Sequence, residues 1–358
     1  MKRNLFLSVM LVAGTYAMAC TNFIVGKKAS MDGSVFVTYN ADSYGVFMPL
    51  YHYPAAKHAA GEMRQINEWD TNKHLGEIAE AAETYNVIGN SNEWQVTVGE
   101  TTFGGREEMA DSTGIIDYGS LIYIALQRSK TAREALQIMT SLVEQYGYYS
   151  EGETFSIADP NEAWMLEMMG CGPDRTKSKE RTVWVAVRIP DDAISAHANQ
   201  SRITKFLDGR YVQVKMQDLQ KKYPVNGKKP VPNLMVCSDN VVSYARAMGW
   251  FEGKDADFSY NAAYASLISQ AVAIVRHVCG ASSIVSAMTS LPMCLMLQAS
   301  RKTPRRCLFG LFPIRRLVYR ICVMRCATTM RELPSLLMQT SVVVSTRCLI
   351  VRHRFLIR

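Results

Sequence analysis

The stretch that decides the fold lies close to the start of the chain, where residues 20–43 read CTNFIVGKKASMDGSVFVTYNADS. Residues 23–25 form a short apolar run, and residues 35–39 are β-branched and aromatic, a composition that favours strands. The sequence MDGS at 31–34 is typical of a turn. The pattern predicts a two-stranded hairpin that begins at Cys20 and places this cysteine at the edge of a sheet.

The residues before Cys20 predict an export signal. Residues 2–3 are basic, the apolar run 5–13 is too short to span a bilayer, and residues 17–19 read Ala-Met-Ala, a small-x-small cleavage site. Residues 1–19 are therefore interpreted as a signal peptide, and the protein is expected in the periplasm or outside the cell. Cleavage would leave Cys20 as the first residue.

A cysteine at a new N-terminus has three interpretations. Its thiol can be a nucleophile whose own α-amine acts as the base, since the unperturbed pKa of an α-amine, about 8, is close to that of a thiol. Alternatively, Cys20 carries a lipid that anchors a surface lipoprotein, although such signals usually have Leu where this chain has Ala17. It can also be an idle small residue after the cleavage site.

Further segments follow Cys20 in a fixed order. They are NEWQVTVGETTF at 92–103, ETFSIAD at 153–159, WVAVRIPD at 184–191 and HANQSRI at 197–203. Together with the Cys-Thr start, the VGKKAS-x-DGS stretch and the N-x-DS ending of residues 20–43, this series resembles the cysteine dipeptidases of the N-terminal-nucleophile (Ntn) hydrolase superfamily, relatives of choloylglycine hydrolase and penicillin V acylase. The resemblance covers roughly residues 20–265 and implies one catalytic domain over that range.

The remaining pattern predicts a mixed fold. Apolar residues recur at helical spacing in residues 117–145, which predicts two helices. Strand patterns flank these helices at 94–98, 153–158, 163–167 and 182–187. The patterns alone indicate mixed α and β structure. The resemblance implies an α+β fold of the αββα sandwich type, with two stacked antiparallel sheets between helical layers.

The resemblance also implies roles for four residues. Cys20 is the nucleophile and, through its α-amine, the base. Asn199 matches the asparagine whose side-chain amide helps bind the oxyanion, for which an amide N–H is a suitable donor. Asn92 matches a second donor of this kind, with a turn role as the alternative. Asp42 lies where a carboxylate contacts the nucleophile region and would hold the α-ammonium; the alternative is a turn or surface residue.

One position departs from the family pattern. Many relatives have arginine three residues before the aspartate position, where this chain has Tyr39. An arginine near a thiol favours the thiolate, so its absence puts the activation of Cys20 and the binding of substrate carboxylates in question. Arg202, which follows Asn199 closely, is predicted to bind substrate in its place. The alternative for Arg202 is a surface ion pair.

The sequence therefore predicts an exported dipeptidase that forms an acyl-enzyme on Cys20. The alternatives are an N-acyl amide hydrolase of the choloylglycine hydrolase or penicillin acylase type and a non-catalytic lipoprotein. The expected partners are dipeptides; neither nucleic acid nor a membrane span is expected, and homo-oligomerisation is left open. No cofactor or metal is expected, because the six histidines are scattered without the spacing of metal ligands. Cys171 and Cys237 either pair or remain buried thiols.

Charge is distributed unevenly along the chain, whose formal net charge is +8. Residues 266–358 hold 14 of the 40 Lys and Arg residues but a single acid, Glu332, together with six of the nine cysteines and no tryptophan. The rest of the chain has more acids than bases. The basic total therefore comes from the tail and does not indicate an anionic partner for the catalytic domain.

We attribute this tail to a shift of the reading frame near Ser266. When the third base of each codon is read with the first two bases of the next, residues 325–335 can encode MRDHYEGTPF. In the same frame, residues 277–284, read from the third base of the Arg276 codon, can encode ARVWSIF, and residues 337–343 can encode DADVGG. All three peptides resemble the C-terminal region of the same family. Residues from about 266 onward are therefore predicted to be out-of-frame product that does not fold as in the family.

Sequencing the gene across the codons for residues 264–270 tests the frame shift. We expect an inserted or deleted base relative to independent isolates, because the acids and the tryptophan missing from the tail return in the other frame. The same uninterrupted frame in every isolate would contradict the prediction.

Overall fold

The computed structural model describes residues 19–42, 50–174, 176, 179–225, 230–265 and 342–345. All of the predicted signal peptide except Ala19 lies outside these residues, and so does the predicted out-of-frame tail except its residues 342–345. The description of the fold therefore concerns mainly the predicted catalytic domain.

The hairpin predicted at the start of the domain is present. Strand β1 (Ala19–Val25) pairs antiparallel with strand β2 (Phe36–Asp42), and Cys20 lies opposite Ala41. In the turn between them, the Asp32 carboxylate accepts hydrogen bonds from both the backbone N–H and the hydroxyl of Ser34. The short polar residues of the turn thus satisfy the backbone locally, which ends one strand and starts the next.

The other strands of the described residues follow in chain order. They are β3 (His52–Tyr53), β4 (Ala56–Lys57), β5 (Met63–Asn67), β6 (His74–Ala79), β7 (Glu83–Thr84), β8 (Val87–Ile88), β9 (Ser91–Asn92), β10 (Thr97–Gly104), β11 (Gly152–Ala158), β12 (Ala163–Gly170), β13 (Thr182–Ile189), β14 (Ile194–His197), β15 (Val212–Gln213), β16 (Leu234–Cys237) and β17 (Val342–Ser345).

The helices of the same residues are few. They are α1 (Tyr118–Arg128), α2 (Ala132–Tyr146), α3 (Leu219–Lys222), α4 (Ser243–Ala247) and α5 (Tyr260–Tyr264), with single 3-10 turns at Glu107–Met109, Met216–Asp218 and Asp255–Asp257. Within the described ranges, no helix is both long enough and apolar enough to cross a bilayer.

Two sheets carry the fold. The smaller has the order β14-β1-β2-β17, and the larger has the order β15-β16-β13-β12-β11-β10-β9-β8-β3. The larger sheet is antiparallel except for the β15–β16 pair, and two two-stranded sheets, β4–β7 and the hairpin β5–β6, are separate from both. Strands β1 and β2 lie over β10, so the sheets are stacked. The prediction of an α+β sandwich with two stacked sheets is confirmed.

The two helices predicted in residues 117–145 are α1 and α2, and they cover the outer face of the larger sheet. Each begins at a side chain that caps its free backbone N–H groups, Asp117 for α1 and Thr131 for α2. Their apolar faces pack with the outward side chains of the larger sheet in one core. Full burial of one such side chain, for example Leu136, stabilises the fold by about 1.5–3 kcal/mol.

A second core fills the space between the sheets. It includes Ile24 and Val37 from the smaller sheet and Met165 and Val185 from the larger one. Near Cys20 the sheets come closest at Gly99 of β10, where an added Cβ would lie 3.0 Å from Tyr39 Cβ and 3.1 Å from Asn22 Nδ2. Glycine at this position therefore permits the close approach of β1 and β2 to β10.

Part of the predicted tail takes part in the smaller sheet. Val342–Ser345 forms β17, which pairs antiparallel with Phe36–Tyr39 of β2. The strand therefore covers the edge of β2 that β1 leaves open.

A buried ion cluster joins α2 to the larger sheet. Glu162, just before β12, accepts hydrogen bonds from Arg133 Nε of α2 at 2.5 Å and from Arg188 Nε of β13 at 3.0 Å. The indole of Trp164 also donates to Glu162, at 2.9 Å. Burial by itself would raise the pKa of Glu162, but the two arginines and the indole more than offset this and lower it. The glutamate is therefore ionised and balances two buried cations.

We expect Glu162→Gln to reduce the free energy of unfolding by about 3–5 kcal/mol, because it removes the buried carboxylate that faces Arg133 and leaves Arg188 with Asp191 alone. Urea unfolding followed by far-UV circular dichroism measures the loss. Glu83→Gln, at an exposed carboxylate of β7, is the matched control. A loss no larger than that of the control would contradict the prediction.

Candidate active site

Cys20 lies at the second position of β1, with partners from other strands on both its nitrogen and its thiol. The Cys20 backbone N–H donates a hydrogen bond of 2.5 Å to Asn199 Oδ1, and Cys20 Sγ lies 3.8 Å from Glu100 Oε1. Because Ala19 precedes Cys20, this nitrogen is an amide here. It stands in the place that the α-amine would take after cleavage behind Ala19.

The pairing of β1 with β14 brings Asn199 to Cys20. Asn22 of β1 lies opposite His197 at the end of β14, so the chain two residues beyond His197 meets the chain two residues before Asn22. Asn199 Nδ2 also donates to the Thr102 carbonyl of β10 at 2.7 Å. A backbone N–H only donates and a carbonyl only accepts, so the two partners together direct the Asn199 oxygen toward Cys20.

A buried glutamate fixes the chain just after Asn199. Glu167 of β12 accepts hydrogen bonds from Ser201 Oγ at 2.6 Å, from the Ile203 backbone N–H at 3.1 Å and from the Arg202 backbone N–H. Burial raises the pKa of Glu167 to about 7, against the effect of these donors. The carboxyl group therefore holds three consecutive residues and keeps the loop that carries Asn199 in place.

Arg202, the predicted substrate-binding residue, is half-buried beside Glu167. Burial lowers the pKa of its guanidinium, and the charge of Glu167 opposes that shift. Its positive charge is also felt by His197. The structure thus gives Arg202 an electrostatic partner inside the protein, and its contact with a substrate stays a prediction.

A buried pair of glutamates lies beside the Cys20 thiol. Glu100 of β10 is 3% exposed and Glu153 of the paired strand β11 is 1% exposed. Burial is the main cause that raises the pKa of both groups, and the charge of Glu100 raises that of Glu153 further. The Tyr39 hydroxyl donates to Glu100 Oε1 at 2.6 Å. Both carboxyl groups therefore hold a proton more readily than an exposed carboxyl group does.

His197 connects the two sheets beneath the thiol. Its Nδ1 lies 2.7 Å from Thr101 Oγ1 of β10, and its Nε2 lies 2.8 Å from Ser156 Oγ of β11. Burial, with a smaller effect of the Arg202 charge, lowers the pKa of His197 to about 3. The imidazole is therefore neutral at physiological pH, and both of its nitrogens are used in structural hydrogen bonds.

Asn92, the predicted second oxyanion donor, is engaged elsewhere. Its Nδ2 donates to the carbonyls of Leu126 and Ser129 at the end of α1, both at 2.7 Å. Its Oδ1 accepts from the backbone N–H groups of Trp94 and Val96, both at 3.0 Å. Both amide N–H bonds are thus used to close a turn and to satisfy the last carbonyls of a helix. These contacts support the turn role rather than the oxyanion role.

Asp42, the predicted partner of the α-ammonium, is the last residue of β2. Its backbone lies opposite Ala19, next to the Cys20–Ala41 pair. The backbone register therefore places Asp42 one residue from the candidate nucleophile. The contact predicted for its carboxylate concerns a side chain outside the described part of the chain and stays a prediction.

Comparison with known proteins identifies the family. The family model of Peptidase family C69 matches residues 19–60 and 50–275, which is more than half of the chain. The chain belongs to peptidase family C69. The match begins at the residue before Cys20, so the candidate nucleophile stands at the start of the C69 region.

Curated relatives of this C69 chain include three bacterial proteins. A protein named "Probable dipeptidase" from Salmonella dublin is 28% identical over 293 residues, 74% of this chain and 57% of the relative. A "Probable dipeptidase A" from Streptococcus pyogenes serotype M3 is 29% identical over 208 residues, covering 53% and 42%. A "Dipeptidase" from Bifidobacterium longum is 28% identical over 216 residues, covering 53% and 38%. The chain thus spans about half the length of the curated relatives it matches.

Sequence reasoning did not single out three polar residues of the C69 site: Glu100, Glu153 and His197. Their segments served to recognise the family, and residues 153–158 also as a strand pattern. The missed signal is an ionisable residue within a strand segment that is expected to be buried, since such a residue needs a specific partner. The partners come from different strands, so only the fold identifies them.

The remaining cysteines of the described C69 domain are not part of this site. No disulfide joins Cys171 to Cys237, so the pairing alternative is not observed. Burial raises the pKa of Cys237 to about 11, which keeps it as a thiol. Among the described residues, no group of three or more His, Cys, Asp and Glu side chains is arranged to hold a metal ion.

We expect the His197 imidazole to stay neutral as the pH falls from 8 to about 4, because the folded protein binds its proton only near pH 3. The unfolded chain binds that proton near pH 6.5. The free energy of unfolding should therefore decrease as the pH is lowered from about 6.5 to 4, by at most about 1.4 kcal/mol per pH unit. Imidazole NMR signals of the wild type report the protonation state directly.

Urea unfolding at pH 4–7 tests the same point energetically. His197→Asn should remove part of the slope of unfolding free energy against pH, whereas His74→Gln, at an exposed imidazole, should not. A His197 signal that titrates near pH 6 would refute the assignment, whether or not the variant folds.

Proposed function

We propose that this chain is an exported cysteine-type dipeptidase whose nucleophile is Cys20, acting after removal of the residues before it. The observation that carries the proposal is the arrangement at Cys20, where Asn199 contacts the nitrogen and Glu100 lies 3.8 Å from the thiol. Membership of peptidase family C69 and the dipeptidase names of its relatives support the reaction. The basic and apolar residues before Ala19 support export.

The first half of the reaction forms an acyl-enzyme. The free α-amine of Cys20 takes the proton from Sγ, and the thiolate attacks the carbonyl carbon of the peptide bond. The carbon–nitrogen bond then breaks, and the α-ammonium gives its proton to the leaving amine. A thioester between Cys20 Sγ and the first residue of the substrate remains.

The second half releases the acid product. The α-amine accepts a proton from water, and the resulting hydroxide attacks the thioester carbonyl. The carbon–sulfur bond breaks, and the thiolate takes the proton back from the α-ammonium. Nucleophile and base are thus restored on the same residue, so a separate histidine is not required. This agrees with the neutral, fully engaged state of His197.

Asn199 supports both halves through its amide. Its oxygen accepts the hydrogen bond from the Cys20 nitrogen and so orients the lone pair or the proton toward Sγ. One N–H of the amide is donated to Thr102, and the described residues supply no acceptor for the other. That second N–H is the group that would stabilise the oxyanion, the role predicted from the sequence.

The test is the mature N-terminus together with dipeptide hydrolysis. We expect intact-mass analysis of the exported protein to show cleavage after Ala19, and a peptide thioester to ligate to it in a one-to-one ratio, because only a free N-terminal cysteine has both thiol and amine. A lipidated cysteine has an added diacylglyceryl mass and does not ligate, and this result would favour the lipoprotein alternative.

Variants then link the residue to the reaction. Cys20→Ser and Cys20→Ala should lower kcat for dipeptide hydrolysis by at least about 1000-fold, since a general-base-assisted nucleophile is lost. Cys237→Ser, at another free thiol, is the matched control and should retain activity. Retained hydrolysis in Cys20→Ala would exclude the mechanism. A wild type that cleaves N-acyl amino acids but not dipeptides would favour the acylase alternative.

A further inference from the structure

The groups around the candidate nucleophile share one electrostatic property. Cys20 Sγ lies 3.8 Å from Glu100 Oε1, and the Tyr39 hydroxyl donates to the same oxygen at 2.6 Å. Neither of these two side chains can carry a positive charge. Glu153, on the strand paired with that of Glu100, adds a second buried carboxyl group.

The acidic residues near Glu100 differ in burial. Glu100 and Glu153 are buried, and the Oε2 atom of each finds no ordinary donor among the described residues. Asp70, in the turn between β5 and β6, is exposed, and its Oδ1 accepts a hydrogen bond of 3.0 Å from the Tyr118 hydroxyl. Its charge still reaches Glu100 and raises the pKa of that carboxyl. The buried Glu100 thus has an exposed acid within electrostatic range.

Ionisation of the buried carboxyl groups is unfavourable in the free protein and becomes favourable when a cation binds beside them. Ionising either of the two buried carboxyl groups is costly, because it brings charge into a low-dielectric interior. A cationic ligand lets Glu100 ionise and replaces that cost with a charge-assisted hydrogen bond. Tyr39 already fixes Glu100 Oε1 at 2.6 Å, so the acceptor is oriented before the ligand arrives.

The distance between Glu100 and the Cys20 thiol indicates which cationic group of a substrate can reach Glu100. In the proposed acyl-enzyme, the α-nitrogen of the first substrate residue is two bonds beyond the carbonyl carbon that is attached to Sγ, and each bond is about 1.5 Å long. Glu100 Oε1 lies 3.8 Å from Sγ, within hydrogen-bonding reach of a nitrogen at that position. A free α-ammonium can occupy it, whereas an acylated nitrogen is neutral and bulkier.

On the basis of the proposed function, we infer that Glu100, oriented by Tyr39, binds the free α-ammonium of the substrate's first residue. The substrate class that follows is peptides with an unblocked N-terminus, cleaved after the first residue. The position where relatives have arginine thus serves here to orient an acceptor for a cation. N-acylated substrates are disfavoured, because they leave the buried acids without a counter-charge.

Protection of Cys20 from alkylation tests this subsite without requiring turnover. The wild-type chain is treated with iodoacetamide in the presence of L-alaninamide or N-acetyl-L-alaninamide, and labelling of Cys20 is followed by peptide mass spectrometry. We expect the free amine to slow labelling at concentrations at least tenfold lower than the acetylated amide. Equal protection by the two amides, or protection by neither, overturns the assignment.

Variants assign the effect to Glu100. Glu100→Gln keeps the size of the side chain but cannot ionise, and it should lose the tenfold preference for the free amine. Tyr39→Phe should weaken the preference by a smaller factor, and Glu83→Gln, an exposed control, should retain it. A preference that is unchanged in a folded Glu100→Gln protein also overturns the assignment.

Kinetics separates this inference from the proposed function. If the chain hydrolyses dipeptides, Glu100→Gln should raise KM for an unblocked dipeptide at least tenfold, whereas Cys20→Ser removes kcat. If no hydrolysis is seen but alaninamide still protects Cys20 in a Glu100-dependent way, the dipeptidase proposal fails and the ammonium subsite stands.

Discussion

The close packing of β1 on β10 is the constraint on which the candidate site depends. Gly99 lacks a side chain at the point where Tyr39 and Asn22 approach, and a Cβ there would lie only 3.0 Å from Tyr39 Cβ, so the neighbours would have to shift. The next residue, Glu100, then reaches the thiol that β1 presents. A shift of about 1 Å between two packed layers is enough to break a 3.8 Å contact, so the arrangement at the candidate site depends on sheet packing rather than on a loop.

The buried ionisable groups behave in two ways, depending on whether an opposite charge lies beside them. Where a full counter-charge is present, as for Glu162 between Arg133 and Arg188, the groups stay ionised and serve to join layers. Where none is present, burial favours the neutral form: it lowers the pKa of His197 to about 3 and raises the pKa of both Glu100 and Glu153. Burial raises the pKa of Asp117 and Asp159 in the same way, away from the thiol. Around the thiol, burial therefore opposes charge on His197 and on both glutamates.

The sequence predicts those features of the site that are local and ordered along the chain. The hairpin after Cys20 and the helices of residues 117–145 follow from periodicity and turn residues, and Asn199 follows from its place in a recognised series. Partners that meet across sheets do not follow, because Glu100 and Tyr39 are 61 positions apart and nothing local in the sequence pairs them. The family match of Asn92 predicts an oxyanion donor. Its four hydrogen bonds instead close a turn and bind the last carbonyls of α1.

The start of β1 has a consequence for when the site can act. Ala19 belongs to the strand and is paired with Asp42, so the peptide bond that it shares with Cys20 lies inside regular structure. While that bond is intact, the lone pair of the nitrogen is delocalised into a carbonyl and cannot take up a proton. On the proposed mechanism the precursor is therefore dormant, although Asn199 and Glu100 are already in place. A single cleavage after Ala19 would free the amine that the mechanism needs. The peptidase that cleaves this bond would therefore determine when the site becomes active.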